Sequence, residues 1–211
     1  MKIISGREKF EKNKKIILTL LRLTPKWLLI FAGRQLKNCD GRVALLSRYL
    51  MHCKTMKSCG SSAYFGSMLT IKNPSLISIG DNFSAHEYCY IDGAGSITIG
   101  NNVSIAHNCS LVSFEHTWHD QSIPIKYNPT KRAPIIIGDD VWLGCGVRVL
   151  AGTIIEDRVV VAAGAVVKGK LDSGFLYAGV PAKKIKPLFD HQDSTTKNFE
   201  KNKHATMTNP A

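Results

Sequence analysis

The stretch Ser113 to Pro129, SFEHTWHDQSIPIKYNP, places two imidazoles, two carboxylates and an indole within a few residues of one another. His116 is the first candidate for chemistry among them. A free imidazole titrates at about 6.5, so His116 can take the proton from a substrate hydroxyl as that oxygen attacks a carbonyl. Ser113, Glu115 and His119 are near enough in sequence to influence its ring, and the sequence leaves open which of them orients it. The plainer reading makes His116 and His119 polar residues of a surface loop. A metal site built from His116, His119 and Asp120 or Glu115 is the other chemical option, but the spacing matches no helix-borne HExxH pattern, so no metal is expected. Among nucleophiles, Cys109 fits a small core filler. Cys145 can face outward but has no adjacent base, and Ser113 has no GxSxG elbow around it.

The elements that must position His116 follow from a period. Ile137, Leu143, Val149, Ile155, Val161 and Val167 recur every six residues, a spacing that walks off the apolar stripe of a 3.6-residue helix. Val141, Val147, Thr153, Val159 and Ala165, four places after each of the first five, are apolar or small. A short strand followed by a sharp bend explains both series, with one large and one small inward residue per side of a three-sided prism. Gly138, Gly144 and Ala162 then fall at bends, where small side chains permit tight turning. This is the hexapeptide form of a parallel β-helix, whose coils bury their interior only by stacking. Ile99, Ile105 and Leu111 carry the same beat, and Ile79, Ala85 and Ile91 carry it earlier, in coils of about 18 residues. Phe65 and Ile71 fit a fraying first coil. The step from Ile91 to Ile99 predicts a two-residue widening around DGAG. Between Leu111 and Ile137, where six residues would keep the beat, about 20 are extruded, and rigid scaffolds commonly carry function on such loops.

Charge divides the chain. Residues 1 to 60 hold 14 Lys/Arg against 3 Asp/Glu, so the net charge of +12 is almost wholly N-terminal. This segment predicts helices around 8 to 23, 25 to 37 and 41 to 55, with Pro25 starting the second. Its apolar run Ile16 to Ala32, broken by Arg22, Pro25 and Lys26, is too short to span a membrane. With basic flanks and Trp27 it suits a helix lying on anionic lipid, and the alternative is a cap packed on the body or on a second subunit. The basic residues show no RNP, zinc-finger or helix-turn-helix pattern, so no nucleic acid is expected. Six scattered cysteines without CxxC, and no recognisable signal peptide, predict reduced thiols in a cytoplasmic protein. The domain plan is a helical cap at 1–60, a β-helix at 61–189 with its loop at 112–136, and a flexible tail at 190–211.

Three segments, SITIGNNVSIAHNCSLVSFEH, APIIIGDDVWLGCGVRVLAGTIIEDRVVVAAGAVVKG and YAGVPAKKIK, resemble the hexapeptide-repeat acyltransferases, in particular the branch that O-acetylates sugars and polysaccharides. The resemblance covers roughly Phe65 to Lys186. It implies an all-β solenoid, a left-handed parallel β-helix with an N-terminal helical segment, assembled as a homotrimer with clefts between prisms. It implies acetyl-CoA as cosubstrate and His116 as general base, without an acyl-enzyme; Glu115 and His119, beside it in sequence, are the candidates for supporting roles. On the CoA side it points to Trp142, Gly144 and Cys145, to Ala163 and Gly164, and to Lys183 after GVPA, where relatives often carry Arg; Lys168 and Lys170 are further candidates. His86 stands where simple-sugar enzymes place an Asn that touches acceptor, and Asp92 is what remains of a nearby acidic pair. With Trp118 they are the acceptor-binding candidates, and the departures favour a larger glycan, such as a surface polysaccharide or its lipid-linked precursor. The alternatives are a serine or amino-sugar acyltransferase and a non-catalytic carbohydrate-binding scaffold.

Overall fold

Three faces of short parallel strands account for the beat of six. The computed structural model describes residues 23–189 without a break, together with residues 13, 16, 19 and 20. The first face stacks strands from Ser58–Cys59 through Ile77–Ile79, Ile97–Ile99, Ile135–Ile137 and Ile154–Ile155 to Lys170–Leu171. The second runs from Tyr64–Phe65 to Phe175–Ala178 and is closed by the antiparallel Lys183–Pro187. The third runs from Thr70–Lys72 to Val166–Val167. The fold is therefore the expected all-β parallel solenoid.

All six residues of the main period, Ile137 to Val167, are at most 1% exposed, and the i+4 series is buried with them. Burial of each large aliphatic side chain contributes on the order of 1.5–3 kcal/mol. Each coil covers the next, so no coil could retain that contribution alone. Thr153 sits inward because its hydroxyl donates to the carbonyls of Leu150 and Val167 at 2.7 and 3.2 Å, which satisfies a buried polar group.

The edge between the first and second faces, called here the first edge, carries a ladder. The backbone N–H of Ser61 donates to Asp81 Oδ1, that of Asp81 to Asn101 Oδ1, that of Asn101 to Asp139 Oδ1 and that of Asp139 to Asp157 Oδ1, at 2.6–2.9 Å. The rungs step by 20, 20, 38 and 18 residues. The long step contains the insertion. The upper coils are thus two residues longer than the expected 18, and the widening predicted around DGAG has a counterpart one coil earlier, in the 3-10 turn Pro74–Leu76. Gly138 and Gly144 do lie at bends, but for a different reason from the one expected. Neither has a positive φ. A Cβ on Gly138 would run into the Asp157 carboxylate, and one on Gly144 would lie 2.6 Å from the Ala163 nitrogen. Close stacking of successive coils demands glycine there.

Two helices cap the upper end, α1 (Lys26–Gln35) and α2 (Arg42–Thr55). They match the second and third expected helices, whereas much of the first, around 8 to 23, lies outside the described residues, as does the tail from 190 onward. Pro25 takes the N-cap position of α1. Tyr49 and His52 of α2 set their rings 6.5 and 4.7 Å from Phe65, which covers the first coil. Arg48, 4% exposed, fixes the cap by donating from Nε to Phe65 O and from Nη1 to the carbonyls of Leu36 and Cys39. Cys53 and Cys59 are joined as a disulfide between α2 and the first coil, a departure from the expectation of uniformly reduced thiols that six-residue spacing in a scattered set did not signal. Among the described residues no helix is long and apolar enough to cross a membrane.

Candidate active site on two edges of the prism

The prism sorts most of the candidate residues onto two different edges. At the third edge, between the third and first faces, the chain leaves the strand Ser110–Val112 and forms a hairpin. Phe114–His116 pairs antiparallel with Thr130–Arg132, setting Glu115 opposite Lys131 and His116 opposite Thr130. Ser113 at its root is fully buried; its hydroxyl donates to Asp92 O and accepts from the Gly95 N–H, both at 2.8 Å. That environment makes Ser113 a hinge pin and removes it as a nucleophile.

His116 is exposed at the end of the hairpin strand, its ring edge-on to Phe114 at 6.5 Å. Glu115 accepts from Lys168 Nζ at 3.0 Å, tying the hairpin to the same edge two coils further on. Beyond His116, Trp118 is 64% exposed, with its ring 6.0 Å from that of His119. The loop is braced from within by Asn128, which is 4% exposed. Its amide accepts from Asp120 N and donates to Asp120 O, both at 3.1 Å. Thr117 adds a second brace through its hydroxyl to Pro129 O at 2.7 Å. Neither brace was anticipated, because an Asn in a polar loop carries no sequence signal of burial. Asp92 belongs to this edge as well, but its carboxylate accepts from Asn73 at 2.7 Å, from Ala94 N–H at 3.1 Å and from the Tyr90 hydroxyl at 3.3 Å. It is engaged with its own turn and with the coil above.

The second edge, between the second and third faces, carries polar residues above and small ones below. His86 and Glu87 occupy its upper part. His86 Nδ1 lies 3.8 Å from Glu87 Oε2, and the Tyr64 hydroxyl donates to Glu87 Oε1 at 3.0 Å. The Glu87 carboxyl is held below its usual range, first by its own backbone N–H and then by Tyr64, while burial pushes the Tyr64 phenol up. Below them come Gly144 and Cys145, then Ala163 and Gly164, with Gly164 N–H donating to Cys145 O at 2.8 Å. A Cβ added at Gly164 would meet nothing within 4 Å, so bare backbone faces open space at this corner and the run of small corners is a candidate groove. Cys145 beside it is half-buried and Cys109 wholly buried.

Trp142, 52% exposed, stands on the second face two residues before this edge. It opens on a cleft of about 440 Å³. Arg158, which also lines that cleft, holds its guanidinium 4.6 Å from the Phe189 ring. These two residues escaped the sequence reading, since Phe189 lies beyond the last periodic residue. Lys183 begins the closing strand, opposite Ala178. Lys168 is drawn to the third edge by Glu115, and Lys170 pairs with Glu156 at 2.7 Å.

A hydroxyl, a base and an activated carbonyl must meet for acyl transfer. Here His116 and the small-residue corners lie on opposite borders of the third face, as two candidate half-sites.

Residues 134–169 match the family model described as bacterial transferase hexapeptide (six repeats). A galactoside O-acetyltransferase of Escherichia coli K12 is 33% identical over 131 residues, covering 62% of this chain and 64% of the relative. An E. coli K12 protein with the provisional name lipopolysaccharide biosynthesis O-acetyl transferase WbbJ is 37% identical over 133 residues, covering 60% and 66%. The matched part of the chain thus spans about two thirds or less of these relatives. Among solved structures, a galactoside acetyltransferase in complex with coenzyme A superposes with a TM-score of 0.68 at 26% identity, covering 84% of this chain and 93% of the other. A hexapeptide-repeat acetyltransferase of Vibrio cholerae, complexed with acetyl coenzyme A, gives 0.67 at 26% identity, covering 78% and 89%.

Proposed function

The chain belongs to the hexapeptide-repeat acyltransferases, and on that premise we propose that it moves an acetyl group from acetyl-CoA to a sugar hydroxyl of a surface polysaccharide or its lipid-linked precursor. The separation of the two half-sites carries the reading. An edge-to-groove contact is heterologous, and repeated by a closing rotation it makes a ring. Three prisms arranged this way set the third edge of each against the second edge of the next, completing three sites.

In each site the His116 imidazole accepts the proton of the acceptor hydroxyl as its oxygen bonds to the thioester carbonyl carbon. The carbon–sulfur bond then breaks, and the CoA thiolate takes the proton from the imidazolium. A sugar acetate and free CoA result. The thioester is already activated, so positioning and proton transfer are the main demands, and no side-chain nucleophile is needed. The bare groove at Gly144, Cys145, Ala163 and Gly164 suits the extended pantetheine, whose amides can bond backbone groups there, with Trp142 alongside. Lys183 supplies a point charge for a CoA phosphate. His86 and Trp118 flank the acceptor. A polysaccharide acceptor is supported by the lipopolysaccharide-named relative. The exposed face of α1, with Trp27 at 70% and Phe31 at 59% exposure, would hold the enzyme at the membrane surface where lipid-linked precursors reside.

The test is complementation between two impaired variants, assayed at acetyl-CoA well below the wild-type KM. His116→Ala keeps the groove and loses the base, and Ala163→Trp keeps the base and blocks the groove. Coassembled in equal amounts, about a quarter of the clefts join an intact base to an intact groove. Thiol release from acetyl-CoA with host glycan precursors should recover to about a quarter of the wild-type rate. Recovery absent from a mixture shown to contain mixed trimers would refute a site shared between subunits.

A further inference from the structure

A second cavity lies where α1 and α2 meet the first coil. It measures about 290 Å³ and is lined by Arg34, Lys37, Arg48 and His52 on its polar side and by Ile30 and Leu69 among its apolar walls. Its lining includes no carboxylate. Lys37 Nζ is steadied by Thr70 Oγ1 at 3.1 Å, and Arg48 is anchored through Nε and Nη1 to three carbonyls. Carbonyls satisfy donors without neutralising charge, and a guanidinium this buried is normally paired with an anion. Among the described residues no ion pair joins any of the three cations. The field is felt locally: burial, then Arg48 and Lys37, lower the pKa of His52 to about 4.

The cavity rim continues into an apolar surface. On α1, Leu29 and Gly33 face inward, Ile30 and Arg34 border the cavity, and Trp27, Leu28 and Phe31 lie exposed on the next side of the helix. One helix therefore offers cations around a hole and, a fraction of a turn away, an indole and a phenyl ring open to solvent. That is the pairing an anionic headgroup and its acyl chains require.

We propose that this cavity seats the phosphate of an anionic membrane lipid, with Arg34, Lys37 and Arg48 as its donors and the lipid's apolar part continuing over Trp27 and Phe31. The site is separate from the transfer chemistry and rests on the reading of α1 as membrane-facing. It would turn a general attraction of the basic cap into a fixed orientation of the prism relative to the lipid surface.

The probe is dihexanoyl phosphatidic acid below its micelle-forming concentration, followed by NMR shifts of Lys37, Thr70 and His52 in the full-length protein. Saturable shifts are expected, at least about tenfold tighter than those caused by inorganic phosphate, since each buried methylene adds affinity. Arg34→Ala with Lys37→Ala should abolish them at unchanged melting temperature, whereas Lys186→Ala, at the far end of the prism, should not. Flotation with phosphatidylcholine vesicles, with and without phosphatidic acid, reports the membrane contact separately through Trp27→Ser. Vesicle binding without saturable shifts overturns the cavity and leaves the membrane contact standing. Inorganic phosphate binding as tightly as the lipid, or saturable shifts without flotation, overturns the proposal in favour of a soluble phosphate ester.

Discussion

The second and third edges of this prism begin from the same backbone and reach opposite solutions. Along the second edge the lower corners shrink to Gly144, Cys145, Ala163 and Gly164, and the backbone itself becomes a surface. Along the third edge one corner swells into a hairpin and loop with its own braces at Asn128 and Thr117. Smallness makes a groove, while insertion makes an arm. A repeat fold can thus give two edges different surfaces without disturbing its core, and the proposed assembly would bring them together.

The contrast can be tested by damaging one edge at a time. His116→Ala should lower kcat by about 10²- to 10⁴-fold, the scale of a positioned base, with the melting temperature unmoved. If His119→Ala were the more damaging change in the same assay, the arm would present the other imidazole.

Acid offers a control belonging to neither edge. The pKa of His52 is lowered to about 4 by burial, so the unfolded chain binds the proton first. Stability should be full above pH 6.5 and fall by about 3 kcal/mol as pH drops towards 4. Urea unfolding across that window measures it, and His52→Leu should flatten the slope. A rate loss that persists in His52→Leu then belongs to the edges; a slope that survives the substitution would show that another group titrates.

Filling the groove tests the other side. Ala163→Trp should raise KM for acetyl-CoA about tenfold or more while leaving the acceptor KM within about twofold. An acceptor effect of equal size would mean that the groove holds the sugar. The smallest change is expected from Lys168→Ala, which frees Glu115 from an exposed ion pair. Such pairs contribute little, so kcat should change by no more than about threefold. A loss rivalling that of His116→Ala would make the lysine a participant in the chemistry.

Much of this was legible in the sequence because inward residues report themselves. Ile137 to Val167 repeat every six positions since each must face a shared apolar column, and the gap from Leu111 to Ile137 exposes the insertion by interrupting that count. The hairpin partner Thr130–Arg132 was not legible, because all three of its residues are exposed and no apolar alternation marks it. The two extra residues near Gly93 were legible as the eight-residue step from Ile91 to Ile99, whereas the matching pair near Pro74 lies in the coil that was expected only to fray. The division of site residues between edges followed the same pattern. Ser113 and Asp92 are 21 positions apart and Glu115 and Lys168 are 53 apart in sequence, and only stacking reveals who stands beside whom. Arg48 and the cap cavity depend on helix-to-coil contacts that no local pattern encodes.

The rung from Asn101 to Asp139 crosses the insertion as if it were absent. Architecturally the prism is therefore a socket: the loop between His116 and Thr130 can be exchanged without altering how the coils above and below recognise each other. Splicing a foreign loop between those two points would change what the arm presents while leaving the frame and the proposed base in place.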